Sequence, residues 1–412
     1  PARAGCSDTD LKEGMMDIDL LDPETFKGGH PAAVYDHLLA EAPVYWHDEP
    51  NGSGFWAVTR YQDVYDIGRN AAVFSSSPTI MIQDPAAGAG GLSGEHQMML
   101  MMDPPEHTSY RKLISRAFTQ GPAKAYEGRI KALATRIVDA VADRGECEFM
   151  NEVAGEMPSF VIADLMGLPL TDGRDLYRLT EVIHSDPASL PEGAGAAAVG
   201  AMFEYGLSVI KEKRASPGDD LASQLLSVEL DGRKLSDEEF LLFFMLLVDA
   251  GGDTTRNLVG TGLYELLNAP EQWGGLAADL DAMMPKARDE LLRLTSPVIY
   301  MRRTLTQDFK LHDILMKSGD KVVMYYGAAN RDPRVFDRPH DLDIHRGGAR
   351  HLAFGGGHHV CLGQWFAKLE IDAILIEVIS RLKNIKILET PQWLNSTFIS
   401  GMTHLPISFA RH

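Results

Sequence analysis

The chain has 412 residues, 45% of them hydrophobic, which is ample for a large buried core. Its 58 acidic residues outnumber the 39 basic ones, and the resulting net charge of −19 argues against wholesale binding to nucleic acid or to an anionic membrane, since both need positive charge. Three cysteines (Cys6, Cys147 and Cys361) are too few for a disulfide framework, so we expect a reducing, cytoplasmic environment.

Neither the N-terminus nor the densest apolar run has the pattern of a membrane segment. The N-terminal residues, PARAGCSDTDLKEG, lack the apolar stretch of a signal peptide. The densest apolar run, residues 240–248, is flanked by Glu239 and Asp249 and is far shorter than the roughly 20 residues that a bilayer requires. We therefore expect no membrane span.

Predicted elements alternate between short strands and long helices. Residues 54–59 (GFWAVT) form the first strand candidate, and residues 85–94 (PAAGAGGLSG) are predicted to be a flexible loop. Helical periodicity dominates after about residue 105, with a second loop-like interruption at residues 190–200. Two further strands are predicted at residues 321–325 and 405–409. The balance indicates a mainly helical protein with small sheets.

The clearest helix starts after Ser236, which forms a capping box with Glu239. Its apolar pattern continues to Leu267, and roughly 32 residues at 1.5 Å each make a helix of about 48 Å. So long and apolar a helix should cross the middle of the molecule. Gly251 and Gly252 lie inside it, where each costs about 1 kcal/mol relative to alanine. Their presence indicates close approach of another group or a local opening of the helix.

The most informative motif is FGGGHHVCLG at residues 354–363. Its three glycines allow a tight loop that can approach a flat ligand. Cys361 directly precedes a helical pattern at residues 364–382, where a thiolate gains from the helix dipole and from nearby N–H groups. A phosphate-binding loop and a buried free cysteine are the alternatives. The loop lacks the Lys-Ser/Thr ending of a P-loop, and an inert cysteine does not need such surroundings.

This segment resembles the haem-ligand signature of the cytochrome P450 superfamily, F-x-x-G-x-H-x-C-x-G. The five defined positions are occupied by Phe354, Gly357, His359, Cys361 and Gly363. Other marks of the family follow the same order along the chain, from about residue 20 to the C-terminus. They are the E-x-x-R pair Glu290 and Arg293, the oxygen-activation segment AGGDTT at residues 250–255, the segment DPPEH at residues 103–107 with Arg111, and Arg303.

The resemblance implies a mainly α cytochrome P450 fold, in which a large helical domain carries small β-sheets. Haem b is expected between the long central helix and the cysteine loop, with Cys361 as the iron ligand. Residues 1–412 are expected to form one domain. Its β-rich part covers approximately residues 20–80 and 298–345 plus the C-terminus, and its helical part covers approximately residues 105–297 and 361–385.

Haem carries two carboxylates, whose burial requires paired donors. The resemblance assigns this role to His107, Arg111, Arg303 and His359. Taken singly, each would be an ordinary surface cation, and their joint occurrence at family positions favours the ligand interpretation. Further haem contacts are implied for Ala250, Gly251, Phe354, Gly355 and Gly363. Glu290 and Arg293 resemble a buried structural ion pair. The family often adds a third basic residue near a P-x-x-F motif, but that stretch reads PHDL here, at residues 339–342, so no third partner is assigned.

Asp253 and Thr254 are the candidate catalytic residues. A carboxylate and a hydroxyl beside bound dioxygen can hold water and pass protons. The alternative for Thr254 is a hydrogen bond to the carbonyl four residues earlier, and the alternative for Asp253 is an ion pair with Arg256. Asp249 departs from the family pattern, where an apolar residue is commoner. It is interpreted either as a polar substrate contact or as a member of a salt bridge.

A flexible, apolar substrate is predicted from the residues that the resemblance places around the pocket. They are Leu100, Met101, Leu246, Asp249, Ala250, Val298, Ile299, Phe398 and Ile399. The stretches GDTTRNLV (residues 252–259) and YMRRTLTQDF (residues 300–309) and the ending after Asn395 resemble bacterial members of the family that hydroxylate terpenoid alcohols, alkyl chains or sterol side chains. The resemblance implies a substrate of one of these classes.

The predicted activity is insertion of one oxygen atom from O2 into a C–H bond, with electrons from NAD(P)H passed by a separate ferredoxin reductase and ferredoxin. Five basic residues near the cysteine side would receive an acidic ferredoxin, unless they are simply scattered solvated charges. They are Lys112, Arg116, Arg350, His358 and Lys368. A peroxide-driven peroxygenase and a haem-binding sensor without turnover are the alternative functions.

Overall fold

The computed structural model describes residues 18–84, 97–184, 190–230, 232–346 and 350–411. Helices dominate this part of the chain. They are α1 (Ala32–Glu41), α2 (Tyr61–Ile67), α3 (Glu106–Ser115), α4 (Gln120–Ala142), α5 (Glu156–Met166), α6 (Leu170–His184), α7 (Ala194–Ala215), α8 (Leu221–Ser227), α9 (Asp237–Asn268), α10 (Pro270–Ala278), α11 (Leu280–Thr295), α12 (Tyr326–Ala329) and α13 (Gln364–Arg381).

The strands are short and form small sheets. They are β1 (Val44–His47), β2 (Phe55–Val58), β3 (Phe74–Ser75), β4 (Glu146–Glu148), β5 (Glu229–Leu230), β6 (Arg233–Lys234), β7 (Tyr300–Leu305), β8 (Phe309–Leu311), β9 (Ile314–Met316), β10 (Lys321–Tyr325), β11 (Leu382–Ile387), β12 (Gln392–Trp393), β13 (Met402–His404) and β14 (Pro406–Arg411). The three predicted strands are confirmed as β2, β10 and β14.

The predicted central helix is confirmed as α9, with 32 residues. Its capping box is complete, because Glu239 N donates to Ser236 Oγ at 3.2 Å and Ser236 N donates to Glu239 Oε2 at 2.8 Å. Helices α5, α6, α7, α11 and α13 pack around it. The largest apolar cluster of the described residues surrounds α9, so this helix crosses the core.

The largest sheet has the strand order β1-β2-β10-β7-β3, with β10 parallel to β2 and antiparallel to β7. Both faces of its centre are buried. Val323 and Tyr325 belong to one apolar cluster, whereas Val322 and Met324 belong to another, as the two-residue period of a strand requires. The register places Arg303 of β7 opposite Val322. A second sheet, β11-β14-β4, closes the C-terminal part.

The prediction of a loop over residues 190–200 is wrong in its second half, because α7 begins at Ala194. Gly193 adopts a left-handed conformation with φ of 79°, and the alanine-rich residues after it favour a helix. The other predicted loop, residues 85–94, lies outside the described residues. Within the described ranges, no single helix is long and apolar enough to cross a membrane, and one pair, Met150–Met166 with Leu170–Ile183, meets that test only together and is bent by 117°.

Candidate functional site

The cysteine loop is a tight turn that ends where α13 begins. Gly355 and Gly357 both have φ of 65°, a conformation that favours glycine. A Cβ atom on Gly357 would lie 2.0 Å from the carbonyl oxygen of Gly68 at the end of α2, so this position excludes any side chain. Cys361 N donates to Phe354 O at 2.8 Å and closes the loop. The geometry holds the Cys361 thiol just before Gln364, the first residue of α13.

The surroundings of Cys361 differ from those of the other described cysteine. Burial raises the pKa of the Cys361 thiol, while hydrogen bonds from the backbone of Gly363 and Gln364 and the charge of Arg111 act in the opposite direction. Burial raises the pKa of Cys147 to about 12, with Glu152 acting in the same direction. Cys361 thus has nearby donors that would stabilise a thiolate. Cys6 lies outside the described residues.

A cavity separates the cysteine loop from α9, and most of the predicted site residues line it. They are Leu100, His107, Arg111, Leu246, Ala250, Gly251, Thr254, Val298, Arg303, Phe354, Gly355, His359, Cys361 and Gly363. Residues more than 260 positions apart in the chain, such as Leu100 and Gly363, line this one cavity. The cavity wall combines a thiol, a hydroxyl, a group of basic side chains and many apolar groups.

The basic side chains cluster at one edge of the cavity. The rings of His107 and His359 have centroids 4.1 Å apart, and neither ring nitrogen of buried His107 has a hydrogen-bond partner among the described residues. His359 Nε2 lies 3.0 Å from both Ser76 Oγ and Met102 O. Arg303 is 4% exposed, and burial lowers the pKa of its guanidinium.

Within the described part of the chain, this cluster lacks a hydrogen-bond acceptor for His107. Burial lowers the pKa of His107 to about 4, helped by the charge of Arg111, and that of His359 to about 2, helped by the charge of Arg303. Buried cations normally have partners, so an anionic group that accepts hydrogen bonds would satisfy both the orphaned His107 and the buried Arg303. A flat ligand that carries carboxylates at its edge fits this arrangement.

Six predicted residues do not line the cavity. Ile299 is fully buried in the core beside the large sheet, and the Phe398 ring packs edge-on against Tyr300 with a centroid distance of 5.3 Å. Ile399 pairs with Val298 in an isolated bridge. The others are Met101, Asp249 and Asp253. Ile299 and Phe398 therefore pack in the core instead of lining the cavity.

On α9, Thr254 and Asp253 point in different directions. Thr254 lines the cavity, and its Oγ1 donates to Ala250 O at 3.3 Å, which is the local hydrogen bond expected for a threonine inside a helix. Asp253 is buried on the side of α6, where Oδ1 accepts from Tyr177 Oη at 3.3 Å and from Asn257 Nδ2 at 3.1 Å. The neighbouring Arg256 donates to the carbonyl groups of Met150 and Met402 and to Asn151 Oδ1.

The Glu290–Arg293 pair is buried on α11, with two 2.8 Å hydrogen bonds. Its third partner, which sequence reasoning missed, is Arg346, whose Nε donates to both Glu290 oxygens at 3.1 Å. Arg293 also donates to the carbonyl groups of Asn330 and Pro339. The pair therefore anchors the segment that leads to the cysteine loop. A search for a basic residue a few positions beyond residues 339–342 would have found Arg346.

Three other residues at the site carry no sequence signal that we recognised. Ser76 contacts His359, Gly68 accommodates Gly357, and Glu370 on α13 contributes a carboxyl group to the cavity wall. Each reaches the site only through the tertiary fold.

Comparison with known proteins agrees with this geometry. The family model "Cytochrome P450" matches residues 188–404. The chain is 35% identical over 415 residues to a methyl-branched lipid omega-hydroxylase of Mycobacterium bovis, with 97% of this chain and 95% of that protein covered. It is 32% identical over 407 residues to a steroid C26-monooxygenase of Mycolicibacterium smegmatis, with coverage of 95% and 94%. A solved structure of a Mycobacterium marinum cytochrome P450 in complex with pseudoionone superposes with a TM-score of 0.89 at 33% identity, covering 97% of this chain and 100% of the other.

The chain belongs to the cytochrome P450 family, and the predicted fold class is confirmed. Its relatives are named hydroxylases and monooxygenases, and it is a haem-thiolate monooxygenase. Membership implies a haem cofactor. The residues present fit that group, because a cysteine loop, a buried histidine without a hydrogen-bond partner among the described residues and the guanidinium groups of Arg111 and Arg303 line one cavity.

Proposed function

We propose that this monooxygenase inserts one oxygen atom from O2 into a C–H bond of an aliphatic lipid, terpenoid or sterol-like molecule, with electrons from NAD(P)H delivered by ferredoxin reductase and ferredoxin. The observation that carries the proposal is the shared cavity, in which the Cys361 thiol and the Thr254 hydroxyl line walls formed mostly by apolar side chains. The thiolate ligand and the proton donor would thus face the same cavity.

The cofactor in this proposal is haem b, with Cys361 as its iron ligand. When bound, a thiolate-ligated haem supplies the activation of dioxygen. His107, Arg111, Arg303 and His359 would bind the two carboxylates, because they line one edge of the cavity and the ring nitrogens of His107 lack acceptors among the described residues. Ala250, Gly251, Phe354, Gly355 and Gly363 also line the cavity and would contact the cofactor.

Thr254 and Asp253 have the role of moving protons. The Thr254 hydroxyl faces the cavity, where it can donate to a group bound above Cys361. Asp253 precedes it on the same helix and supplies a carboxyl group that exchanges protons. The Gly251 position, without a side chain, leaves space beside the hydroxyl.

The substrate class rests on the apolar lining. Leu100, Leu246 and Val298 lie in the cavity wall, and apolar walls bury a hydrocarbon with a gain of about 25 cal/mol per Å². Similarity to enzymes named for methyl-branched lipids and for steroids supports an extended aliphatic substrate. The predicted contacts Met101, Asp249, Ile299, Phe398 and Ile399 would require a change in side-chain positions to reach it.

Ferredoxin is proposed to dock on the side of the cysteine loop. Arg111 of α3 donates to Val360 O, so α3 lies directly against that loop. Lys112 is exposed on the same helix and Arg116 is exposed directly after its last residue. Arg350 and His358 are exposed close to the loop in sequence. Positive charge at this surface would attract an acidic partner even though the whole chain is negative.

The absorption spectrum of the reduced protein with carbon monoxide tests whether Cys361 is the iron ligand. A strongly red-shifted Soret band is expected for the parent protein, and Cys361→His should lose it. A parent protein that binds haem without this band would overturn the proposal. Substrate class is tested by the shift from low to high spin on titration with terpenoids, fatty acids and sterols.

Thr254→Ala tests the proton donor, with Thr261→Ala as the matched control. Both threonines donate to a carbonyl four residues earlier on α9, but Thr261 does not line the cavity. Thr254→Ala is expected to consume electrons with little product, whereas Thr261→Ala should retain the parent ratio. Fully coupled turnover in Thr254→Ala would contradict the assignment. Equal turnover with hydrogen peroxide alone would favour a peroxygenase instead.

A further inference from the structure

Helix α6 presents two polar side chains, one turn apart, to the buried carboxyl group of Asp253. The Tyr177 hydroxyl donates to Asp253 Oδ1 at 3.3 Å, and both residues are less than a tenth exposed. Glu181 follows four positions later, so it lies on the same face of α6. The Tyr177 hydroxyl also acts to lower the pKa of Glu181, so the two side chains interact. One phenolic hydroxyl therefore interacts with two carboxyl groups.

The two carboxyl groups differ in their access to water. The Glu181 side chain is 41% exposed, whereas Asp253 is buried. Burial raises the pKa of Glu181, which outweighs the opposing effect of the Arg256 guanidinium, whose Nη2 lies 3.7 Å from Glu181 Oε1. Glu181, the solvent-exposed member of the three side chains, can thus carry a proton and exchange it with water.

The Tyr177 ring packs against Gly252, one of the two glycines inside α9. A Cβ atom on Gly252 would lie 3.0 Å from Tyr177 Cδ2, tighter than an ordinary contact. The ring lies flush against the helix because Gly252 has no side chain. The guanidinium of Arg256 lies 5.6 Å from the ring centroid on the same side. These contacts fix the hydroxyl next to Asp253.

We propose that Glu181, Tyr177 and Asp253 form the route by which protons from solvent reach the Thr254 side of the cavity. This inference rests on the proposed function, which assigns the last transfer to Asp253 and Thr254. Glu181 passes its proton to the Tyr177 oxygen while the phenolic proton moves to the Asp253 carboxylate. Water then returns a proton to the Glu181 carboxylate, so the tyrosine is unchanged. Tyr177 and Glu181 are positioning residues, because they act through Asp253.

Tyr177→Phe and Glu181→Gln test the route. Tyr177→Phe keeps the ring on Gly252 and removes only the hydroxyl. Both variants are expected to lower ferredoxin-driven product formation at least tenfold, toward the ~10²-fold contribution of a positioned acid–base group. The ratio of rates in H2O and D2O should rise, because proton delivery becomes the slow step. Product formation with hydrogen peroxide, which brings its own protons, should be unchanged.

Tyr205→Phe is the matched control. Tyr205 Oη donates to Asp172 Oδ2 at 2.6 Å, so this variant removes another tyrosine–carboxylate bond between α6 and its neighbour. It should keep the parent rate and isotope ratio. Parent-like values in Tyr177→Phe would overturn the route. Equal losses of the ferredoxin-driven and peroxide-driven rates in Tyr177→Phe would also overturn it, since they indicate structural damage.

An infrared titration tests the route without turnover. The carbonyl band of the protonated Glu181 carboxyl group is the one that should be lost in Glu181→Gln, whereas the band of Glu370 should remain. In Tyr177→Phe the Glu181 band should persist to higher pH, because the Tyr177 hydroxyl, which acts to lower the pKa of Glu181, is absent. A band that titrates identically in the parent and in Tyr177→Phe would overturn the route. If the parent forms no product with any ferredoxin, the proposed function fails, but this titration still decides whether Tyr177 joins the two carboxyl groups.

Discussion

Glu370 and Asp372 show how strongly a single neighbour changes a buried carboxyl group. Both lie on α13, two positions apart. Burial raises the pKa of Glu370 to about 8, and its Oε2 has no hydrogen-bond partner among the described residues. Burial also raises the pKa of Asp372, but only to about 6, because Arg288 Nη1 donates to it at 2.6 Å. Glu370 is therefore expected to be protonated at neutral pH.

Glu370→Gln should flatten the dependence of stability on pH. The folded-state pKa of Glu370 is about 8 against an ordinary value of 4.5, so its contribution to stability is complete below pH 4.5 and is lost as pH rises through 8. The parent protein should melt at a lower temperature at about pH 9 than at about pH 5. The variant should show a smaller difference.

The exposed Glu204 provides the control, since Glu204→Gln should retain the parent pH dependence. A Glu370→Gln variant with the parent profile would mean that water or the cofactor keeps Glu370 ionised.

At the scale of single elements, the two adjacent glycines of α9 differ in what surrounds them. A Cβ atom on Gly251 would make ordinary contact with Ile162 at 3.6 Å, whereas one on Gly252 would press on the Tyr177 ring at 3.0 Å. The requirement for glycine at position 252 is thus imposed by α6. At position 251 the free space lies on the side of the cavity.

Gly251→Ala and Gly252→Ala should therefore change the free energy of unfolding in opposite directions. Gly251→Ala should stabilise the protein by up to about 1 kcal/mol, the difference in helix propensity. Gly252→Ala should destabilise it by roughly 1–3 kcal/mol, because the new methyl group displaces the Tyr177 ring. Urea denaturation followed by circular dichroism measures both, and equal effects would show that the Tyr177 contact is soft.

Arg346 connects α11 to the segment that leads to the cysteine loop. Arg346→Ala should destabilise the protein by about 2–3 kcal/mol, less than the usual ~3–5 kcal/mol for a broken buried pair, because Glu290 retains Arg293. The exposed pair of Arg214 and Asp237 gives the comparison, and Arg214→Ala should cost no more than about 1 kcal/mol. Haem retention during urea denaturation should fall in the Arg346 variant alone.

At the scale of the whole molecule, the basic side chains near α3 have to attract a ferredoxin although the chain carries a net charge of −19. Charges farther apart than about 10 Å are screened at 0.1 M salt, so a partner near α3 senses mainly the local side chains. Lys368 contributes less than predicted to that surface, because its ammonium group lies over the rings of Phe354 and Trp365 and its side chain is 21% exposed.

Charge reversal at Lys112 and Arg116 should slow reduction by an acidic ferredoxin roughly tenfold at low salt, since electrostatic steering raises association rates by about 10–10³-fold. The difference from the parent should shrink as salt is added. Lys211→Glu, an exposed reversal on α7, is the control and should have little effect. Stopped-flow reduction measures this, and identical rates in all variants would place the docking surface elsewhere.

The sequence by itself determined the features that depend on local pattern. The capping box at Ser236, the strand at residues 321–325 and the cysteine loop were predicted at nearly their observed bounds, because caps, periodicity and glycine-rich turns involve neighbours in the chain. The cytochrome P450 fold followed from the order of its motifs. The single-domain assignment over residues 1–412 stays a prediction.

Only the tertiary structure decided which distant side chains meet. Arg346 completes the Glu290–Arg293 pair, and Tyr177 approaches Asp253 from α6. Glu370 lies in the cavity wall, where its Oε2 has no hydrogen-bond partner within the described ranges. Ile299 and Phe398, predicted to contact substrate, pack beside the large sheet instead of lining the cavity. These outcomes depend on how helices and sheets pack, and the free energy of such contacts is set by burial and by partners that local sequence does not contain.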